Sequence, residues 1–313
     1  MIDVSDIERA RERIYPFVRR TPVTPLTQLK SPVDTRARVT LKLELLQVTG
    51  SFKARGAMNR FLGTPPEAVK AGIVTASGGN HGLAVARTAY AAGVSATIFV
   101  PNSVSPAKVA KMEKWGATVD IVAGAWDDAQ AAALAHASRT GAVYFHPFAD
   151  PLVVAGQGTL GLEILDDLPD MDAVIVAIGG GGLISGIATA IRARRPNVKI
   201  IGVEPVGSPT LKASLDAGKV VALPNVTSRI ATMSCRQTDD RIFEIVRNTV
   251  DEIVLVSDDA MEDASRWLWF EMGIAADLSG AAALAALRKG IPALARAGHI
   301  CALVCGAGAE GSG

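Results

Sequence analysis

Short apolar runs that alternate with helix-patterned segments place the strongest constraint on the fold of this chain. Residues 96–101 (ATIFVP), 173–178 (AVIVAI) and 299–305 (HICALVC) are such runs, and none has the regular two-residue alternation of a half-exposed strand. Strands of this kind are typical of parallel sheets that are buried on both faces. Their alternation with helices predicts βαβ units. We therefore predict an α/β fold with two mainly parallel sheets flanked by helices.

The overall composition argues against several classes of partner. The 313 residues carry 32 basic and 31 acidic side chains, which leaves a formal net charge of +1. Proteins that bind nucleic acid or membrane surfaces usually show a basic excess. Aromatic residues make up only 5% of the chain, so a platform for stacking bases is not indicated. No apolar stretch reaches the ~20 residues that span a bilayer, and we expect neither nucleic acid nor membrane as a partner.

The cysteines and the start of the chain bear on localisation. Cys235, Cys301 and Cys305 are odd in number and form no CxxC pair, which argues against a disulfide framework and against zinc. Met1 to Val4 lack the basic and apolar run that is typical of a signal peptide. We expect a cytoplasmic protein without a metal site.

Polar residues mark several predicted helix starts. Ser5, with Glu8 three residues later, fits a capping box. Asp150 followed by Pro151 fits an N-cap with proline at the first helical position. Ser279 is predicted to open a helix near the C-terminal strand.

The segment from Gly50 to Ala57 (GSFKARGA) places Lys53 at the junction between a loop and a predicted helix. The positive end of the helix dipole disfavours a lysine cation. More of the amine is then neutral and able to attack a carbonyl carbon. Taken alone, a lysine is more often a solvated surface side chain, so the hypothesis depends on its surroundings.

Two glycine-rich turns follow predicted strands. Ser77 to Gly82 (SGGNHG) precedes a helix, and Gly179 to Gly182 follows the apolar run 173–178. Backbone N–H groups at such turns, helped by the next helix dipole, bind anions. Four consecutive glycines are costly in conformational entropy, so close approach to a phosphate is favoured over a purely structural turn. Neither segment matches a nucleotide-binding fingerprint, and an ordinary βα turn remains an equal alternative for SGGNHG.

Two further residues are candidates on position alone. Cys305 follows the last predicted strand, and the carboxyl ends of parallel strands are where such folds bind ligands. A buried cysteine that acts as a small hydrophobe is the simpler interpretation. His146 precedes Pro147 near a predicted domain junction, where packing at a hinge is favoured over catalysis.

Taken together and in this order, SFKARGA, SGGNHG and GGGGL resemble the fold-type II pyridoxal-phosphate (PLP) enzymes. The resemblance is nearest to the branch of serine/threonine dehydratases and serine racemases. It extends over essentially the whole chain and includes residues 20–22 (RTP) and 155–159 (AGQGT). It implies PLP as cofactor, a small amino-acid substrate, a homodimer and a tryptophan synthase β-like fold. The implied domains are a large one of residues 1–48 and 149–313 and a small mobile one of residues 49–148.

The resemblance also implies roles for residues at matching positions. Lys53 would carry the cofactor as a Schiff base and act as general base. Phe52 would pack against the cofactor ring, Asn80 would hydrogen-bond its 3′ oxygen and Cys305 would face its pyridine nitrogen. The phosphate would be held by Gly179, Gly180, Gly181, Gly182 and Leu183. The substrate side of the site would include Ser77, Gly78, His81 and Asp277.

The chain departs from these relatives at several positions. Relatives with racemase activity place a serine where this chain has Gly78, which has no side chain to transfer a proton. A Glu-Pro pair of many relatives is replaced by Asp277-Leu278, and their Ala-Asp-Gly segment by residues 231–235 (ATMSC). Both changes leave the identity of the substrate open. Glu204 matches one cation ligand of some relatives, but Pro209-Thr210 stands where their aspartate would be, so no metal is expected.

We therefore expect a dehydratase, or ammonia-lyase, that eliminates water from a small β-hydroxy amino acid such as L-threonine or L-serine. The products would be a 2-oxo acid and ammonia. A neutral thiol at Cys305 would not force the pyridine nitrogen of the cofactor to be protonated. The ring would then be a weaker electron sink, which suits elimination. The alternatives are an amino-acid (serine) racemase, a lyase for a different hydroxy amino acid, a β-replacement enzyme, and a protein that binds PLP without turnover. Gly78 argues against the racemase, and β-replacement enzymes typically carry a TGNTG-like loop in place of SGGNHG.

Overall fold

The computed structural model describes residues 1–309 and contains strands that form two separate sheets. In chain order the strands are β1 (Val23–Pro25), β2 (Arg38–Lys42), β3 (Ile73–Ala76), β4 (Ala96–Pro101), β5 (Thr118–Val122), β6 (Val143–Tyr144), β7 (Ala173–Ala177), β8 (Lys199–Pro205), β9 (Glu252–Val256) and β10 (His299–Leu303). The larger sheet has the order β1-β2-β10-β7-β8-β9, and the smaller has the order β5-β4-β3-β6. Only the pairing of β1 with β2 is antiparallel among these strands.

Helices connect the strands and cover the sheets. They are α1 (Val4–Ile14), α2 (Lys53–Leu62), α3 (Asn80–Ala92), α4 (Pro106–Glu113), α5 (Trp126–Thr140), α6 (Pro151–Asp167), α7 (Gly182–Arg194), α8 (Thr210–Ala217), α9 (Asp240–Thr249), α10 (Asp258–Met272) and α11 (Leu278–Lys289). Helix α6 packs against α7 and α2, and α10 packs against α11. The predicted α/β class with two mainly parallel sheets is confirmed.

The central strands explain why the apolar runs lack alternation. Every residue of β7 and of β10 is buried, because helices lie on both faces of the larger sheet. Strands β10 and β7 are neighbours and run parallel. The loops that follow them therefore emerge side by side at the same edge of the sheet, and these loops contain Cys305 and the four glycines.

Two predicted helix starts are wrong, and carboxylates explain both. Helix α1 begins after Asp3, whose side chain accepts from the backbone N–H of Asp6 at 3.0 Å, while Asp6 accepts from that of Asp3. The predicted pair of Ser5 and Glu8 is therefore not the cap, and the Ser5 hydroxyl donates to Asp3 instead. Helix α11 is capped by Asp277 rather than by Ser279. The predicted cap at Asp150 is confirmed.

The smaller sheet lies entirely within residues 73–144, inside the segment 49–148 that was expected to form a small domain. Helix α2 belongs to the same segment, yet it packs against α6 as well as against α3. The division into two domains, and the mobility of the smaller one, stay predictions.

Within residues 1–309, no helix combines the length and the apolar character needed to cross a membrane.

Candidate active site

The junction that carries Lys53 is tied to the end of the larger sheet. Thr49 adopts φ 65°, a left-handed conformation that is uncommon for a residue other than glycine. The backbone N–H of Phe52 then donates to the carbonyl of Cys305 at 3.2 Å, and Ser51 forms an isolated antiparallel bridge with Gly306. Helix α2 begins at Lys53, as predicted. These contacts bring Lys53 to the edge where β7 and β10 end.

Lys53 lies in an environment that favours a neutral amine. Its side chain is half-buried, its Nζ donates to the carbonyl of Pro147 at 2.7 Å, and Nζ lies 5.0 Å from the centre of the Phe52 ring. Burial lowers the pKa of Lys53 to about 8. An amine with this pKa is deprotonated in a useful fraction of molecules near neutral pH, as a nucleophile or proton acceptor requires.

The loop from Gly179 to Gly182 is enclosed on both sides. A methyl group at Gly180 would overlap the Phe148 ring, and one at Gly179 would lie 2.9 Å from the carbonyl of Thr232. Gly181 has φ 91°, which disfavours any side chain. The loop leads directly into α7, which starts at Gly182. Its backbone N–H groups and the helix dipole form a cradle for an anion.

The SGGNHG turn joins β3 to α3 at the end of the smaller sheet. The Ser77 hydroxyl accepts from the N–H of Gly79 at 3.3 Å, and Asn80 Nδ2 donates to Asp277 Oδ2 at 3.0 Å. The His81 ring is buried and its Nε2 lies 3.1 Å from the carbonyl of Phe145. Burial, with the positive charge of Lys53, lowers the pKa of His81 to about 3. The expectation that His81 lies beside a substrate carboxylate stays a prediction. Because the His81 ring is buried, the backbone of this residue is favoured over the ring as the group that contacts the carboxylate.

Cys305 and Asp277 lie together beneath these loops. The Cys305 side chain is buried and its Sγ lies 3.5 Å from the carbonyl of Ser279. Burial, and then the charge of Asp277, raise the pKa of the Cys305 thiol far above its usual range, so the thiol stays neutral. Asp277 Oδ1 accepts from Ser279 Oγ at 2.7 Å and from the N–H of Gly280 at 2.5 Å. The shorter carboxylate thus caps α11 and also holds Asn80.

A family model described as "Pyridoxal-phosphate dependent enzyme" matches residues 14–306. The chain belongs to this family. An L-threonine ammonia-lyase of Thermotoga maritima is 40% identical over 287 residues, which cover 92% of this chain and 71% of the relative. A serine racemase of Oryza sativa subsp. indica is 36% identical over 284 residues, which cover 91% of this chain and 83% of the relative.

Among solved structures, maize serine racemase superposes with a TM-score of 0.93 at 34% identity. The match covers 97% of this chain and 93% of the racemase. The expected resemblance to serine/threonine dehydratases and serine racemases, the fold-type II architecture and the cofactor PLP are therefore confirmed.

The residues at the site fit the cofactor of the family. PLP has an aldehyde that reacts with a lysine amine and a phosphate that needs several hydrogen-bond donors. Lys53 offers an amine of lowered pKa, and the loop from Gly179 to Gly182 offers a cradle that side chains would fill. The roles of the individual residues stay predictions.

Several residues at the site carry no recognisable sequence signal. Thr238 Oγ1 donates to the carbonyl of Gly180 at 3.1 Å. Thr232 lies between the two glycine-rich turns. A Cβ added at Gly79 would lie 3.6 Å from the Thr232 methyl group, and a Cβ added at Gly179 would lie 2.9 Å from the Thr232 carbonyl oxygen. Only the departure of residues 231–235 from the family pattern pointed to this segment. Phe148 touches the loop because of a long-range contact that no local pattern encodes.

Glu204 has a structural partner in α8. Its buried carboxylate accepts from the N–H groups of Leu211 at 2.8 Å and Lys212 at 2.9 Å. Burial raises the pKa of Glu204 to about 7, although these N–H groups oppose the shift. Ser208 and Thr210 donate to the carbonyl of Cys235. Across residues 1–309, no cluster of three or more His, Cys, Asp or Glu side chains is arranged to hold a metal ion.

Proposed function

We propose that this protein is a PLP-dependent carbon–oxygen lyase that eliminates water from a small β-hydroxy amino acid, with L-threonine or L-serine the leading substrates. The products are a 2-oxo acid and ammonia. The observation that carries the proposal is that one short segment joins the Lys53 amine, with its lowered pKa, to the glycine cradle before α7: Lys53 Nζ donates to the carbonyl of Pro147, and the ring of Phe148 adjoins Gly180. The names of the relatives, L-threonine ammonia-lyase and L-threonine dehydratase among them, support the same reaction.

Lys53 has two tasks in this proposal. Its amine would hold the cofactor covalently and, when free, would accept the proton from the substrate Cα. When bound, PLP supplies an electron sink that stabilises the charge left at Cα. The N–H groups of Gly179 to Leu183 would hold the phosphate, and Phe52 and Asn80 would orient the ring.

Cys305 would face the pyridine nitrogen of the cofactor. A thiol that stays protonated offers a neutral partner to the pyridine nitrogen and does not enforce its protonation. With a neutral partner the ring would be a weaker electron sink, which would suit elimination of the β-hydroxyl. Asp277 positions Asn80 through its Oδ2.

The racemase alternative is supported by relatives of that name, but Gly78 disfavours it. A side chain at this position would overlap Cγ2 of Val104. The chain therefore has neither a hydroxyl at this position nor the space for one.

The proposal is tested by release of 2-oxo acid from a panel of L- and D-hydroxy amino acids. We compare wild type with Lys53→Ala, and we use Lys70→Ala, which alters an exposed lysine paired with Glu67, as the matched control. We expect 2-oxobutyrate or pyruvate from wild type and from the control, and none from Lys53→Ala. No release from any substrate by wild type would refute elimination on these substrates. Conversion of L-serine to D-serine without release would favour the racemase.

We further propose that the protein works as a homodimer in the cytoplasm. The dimer rests on resemblance to the family. The three cysteines are free thiols, which suits a reducing compartment. Light scattering of the purified protein and fractionation of cells test the two statements separately, and a monomeric mass or an extracytoplasmic pool would overturn the corresponding one.

We also propose that residues 49–148 form a small domain that moves relative to the remainder when substrate binds. Such closure would exclude water from the reacting groups. Small-angle scattering with and without a substrate analogue tests this, and an unchanged radius of gyration together with unchanged hydrogen exchange would count against it.

A further inference from the structure

The turn between β6 and α6 is organised by one imidazole nitrogen. Nδ1 of His146 accepts from the backbone N–H of Phe148 at 3.2 Å and from that of Ala149 at 2.9 Å. Accepting both bonds requires an unprotonated Nδ1, so a neutral ring carries its proton on Nε2. Pro147 lies inside the turn and has no N–H to contribute. The His146 side chain therefore supplies the hydrogen bonds that hold this segment.

The same turn contacts both halves of the candidate active site. The carbonyl of Pro147 accepts from Lys53 Nζ at 2.7 Å. The ring of Phe148, one residue later, fills the space beside Gly180, and a Cβ at Gly182 would lie 2.6 Å from the Phe148 carbonyl. A change in the turn would thus move the acceptor of the lysine and the wall of the glycine loop together.

The surroundings hold the His146 ring in its neutral, accepting form. Its ring meets Phe148 edge-to-face with centroids 4.6 Å apart and Tyr144 with centroids 6.2 Å apart. Burial, reinforced by the positive charge of Lys53, lowers the pKa of His146 to about 4. The acceptor role at Nδ1 is therefore available throughout the neutral range.

We propose that His146 is a positioning residue that acts through the turn. Its Nδ1 aims the carbonyl of Pro147 at Lys53, which gives the free amine a fixed resting place, and it seats Phe148 against the glycine loop. His146 itself transfers no proton. The proposal rests on the function proposed above, because it treats Lys53 as the reacting amine.

Three substitutions of His146 separate positioning from proton transfer. Asparagine has an acceptor, Oδ1, one bond beyond Cγ, as histidine has in Nδ1, so His146→Asn preserves the turn. His146→Gln moves the acceptor outward by one methylene, and His146→Leu removes it. We expect His146→Asn to keep most of the wild-type kcat. We expect kcat to fall on the order of 10- to 100-fold in His146→Gln and His146→Leu, because the reacting groups are misplaced.

Two additional readouts keep the test decisive. The first is the melting temperature, which shows whether a loss of kcat merely follows unfolding. The second is the rate at which added PLP becomes attached to Lys53 in cofactor-free protein, measured by mass spectrometry after borohydride reduction. We expect this rate to follow the same order, with His146→Asn fastest among the variants, at similar melting temperatures.

The outcomes are distinguishable. If His146→Asn is as slow as His146→Leu in both kcat and attachment, the acceptor role is wrong. If kcat and attachment in the three variants simply track their melting temperatures, His146 only supports the fold and the proposal is overturned. If wild type releases no 2-oxo acid but the attachment rates show the expected order, the proposed function fails while the positioning role stands.

Discussion

Lys53 destabilises the folded chain as long as its amine is protonated. The ammonium group is half-buried beside the Phe52 ring, and the hydrogen bond described for it goes to the carbonyl of Pro147. Its pKa falls from the ordinary 10.5 to about 8 on folding. A lysine with a lowered pKa in the folded state binds its proton more tightly when unfolded, so stability is lost as pH falls from 10.5 towards 8. The cost is fully present at neutral pH.

Replacing Lys53 by a neutral side chain of similar length removes this cost. We expect Lys53→Met to raise the unfolding free energy of the cofactor-free protein at pH 7 by about 1–3 kcal/mol, since the pKa difference corresponds to about 3 kcal/mol at most. The gain shrinks towards pH 10.5. Urea denaturation at the two pH values measures it, with Lys70→Met as the exposed control. An equal or lower stability of Lys53→Met at pH 7 would show that the amine is well solvated.

The turn between β3 and α3 fits closely against the connection between β4 and α4. Gly78 and Val104 meet there, and any Cβ at Gly78 would overlap the valine methyl. The glycine is therefore required by packing and not only by the turn. This contact explains why the chain has no hydroxyl beside Ser77, where racemase relatives have one.

A second hydroxyl at this turn requires a serine in place of Gly78 and also space for its side chain. We expect Gly78→Ser alone to lose about 1–3 kcal/mol of stability through overpacking and to form no D-serine from L-serine. The double variant Gly78→Ser/Val104→Ala is expected to regain stability and to exchange the substrate Cα–H with solvent deuterium faster than wild type. Chiral chromatography and mass spectrometry measure the two effects. Racemisation by the single variant at full stability would contradict the steric argument.

Helix α8 uses Glu204 as its anchor. Both carboxylate oxygens accept backbone N–H groups at the start of the helix, so part of the acceptor capacity that a cation would need is already engaged. A buried carboxylate that satisfies two such groups acts as a helix cap.

We therefore expect activity to be independent of divalent cations. Treatment with a chelator should leave kcat unchanged, and added Mg²⁺ or Ca²⁺ should not raise the melting temperature, because a ligand stabilises only the state that it binds. Glu204→Ala should lower the unfolding free energy by about 1–2 kcal/mol. A rise in melting temperature with Mg²⁺ that is lost in Glu204→Ala would reveal a cation site at this residue.

At the scale of the whole molecule, local sequence patterns predicted the longer helices and strands and the loops that carry the candidate reactive residues. The start of α6 follows from the sequence, because Asp150 caps the helix and Pro151 stands at its first position. The three-residue edge strand β1 escaped prediction, since its pairing with β2 is decided by a partner outside the segment itself. The place of Lys53 at a helix start was predictable, whereas the contacts of Phe148 with Gly180 and of Val104 with Gly78 join residues far apart in the chain.

A buried network of charges joins β2, α2 and α6. Arg55 donates to Glu44 Oε1 at 2.6 Å and to Glu163 Oε2 at 2.9 Å, and Lys42 donates to Glu163 Oε1 at 2.6 Å. Arg55 is 2% exposed, and Lys42 and Glu44 are fully buried. Burial favours the neutral form of Glu163, but Arg55 and Lys42 outweigh it and hold the pKa of Glu163 below its usual value. The network connects the helix that begins at Lys53 to the larger sheet.

Removing the arginine leaves two carboxylates buried with one lysine. We expect Arg55→Met to lower the unfolding free energy at pH 7 by about 3–5 kcal/mol, as breaking a buried ion pair does. Without Arg55, the pKa of Glu163 in the folded variant is higher than in wild type, so the variant loses less stability than wild type when Glu163 is protonated. Its deficit relative to wild type should then shrink as pH falls towards 5. Arg9→Met, which removes an exposed pair with Asp6, should cost less than about 1 kcal/mol. Urea unfolding at pH 7 and at pH 5 measures these differences in unfolding free energy. A small deficit in Arg55→Met, or one that is the same at both pH values, would mean that water reaches Glu163. The network would then not join the three elements.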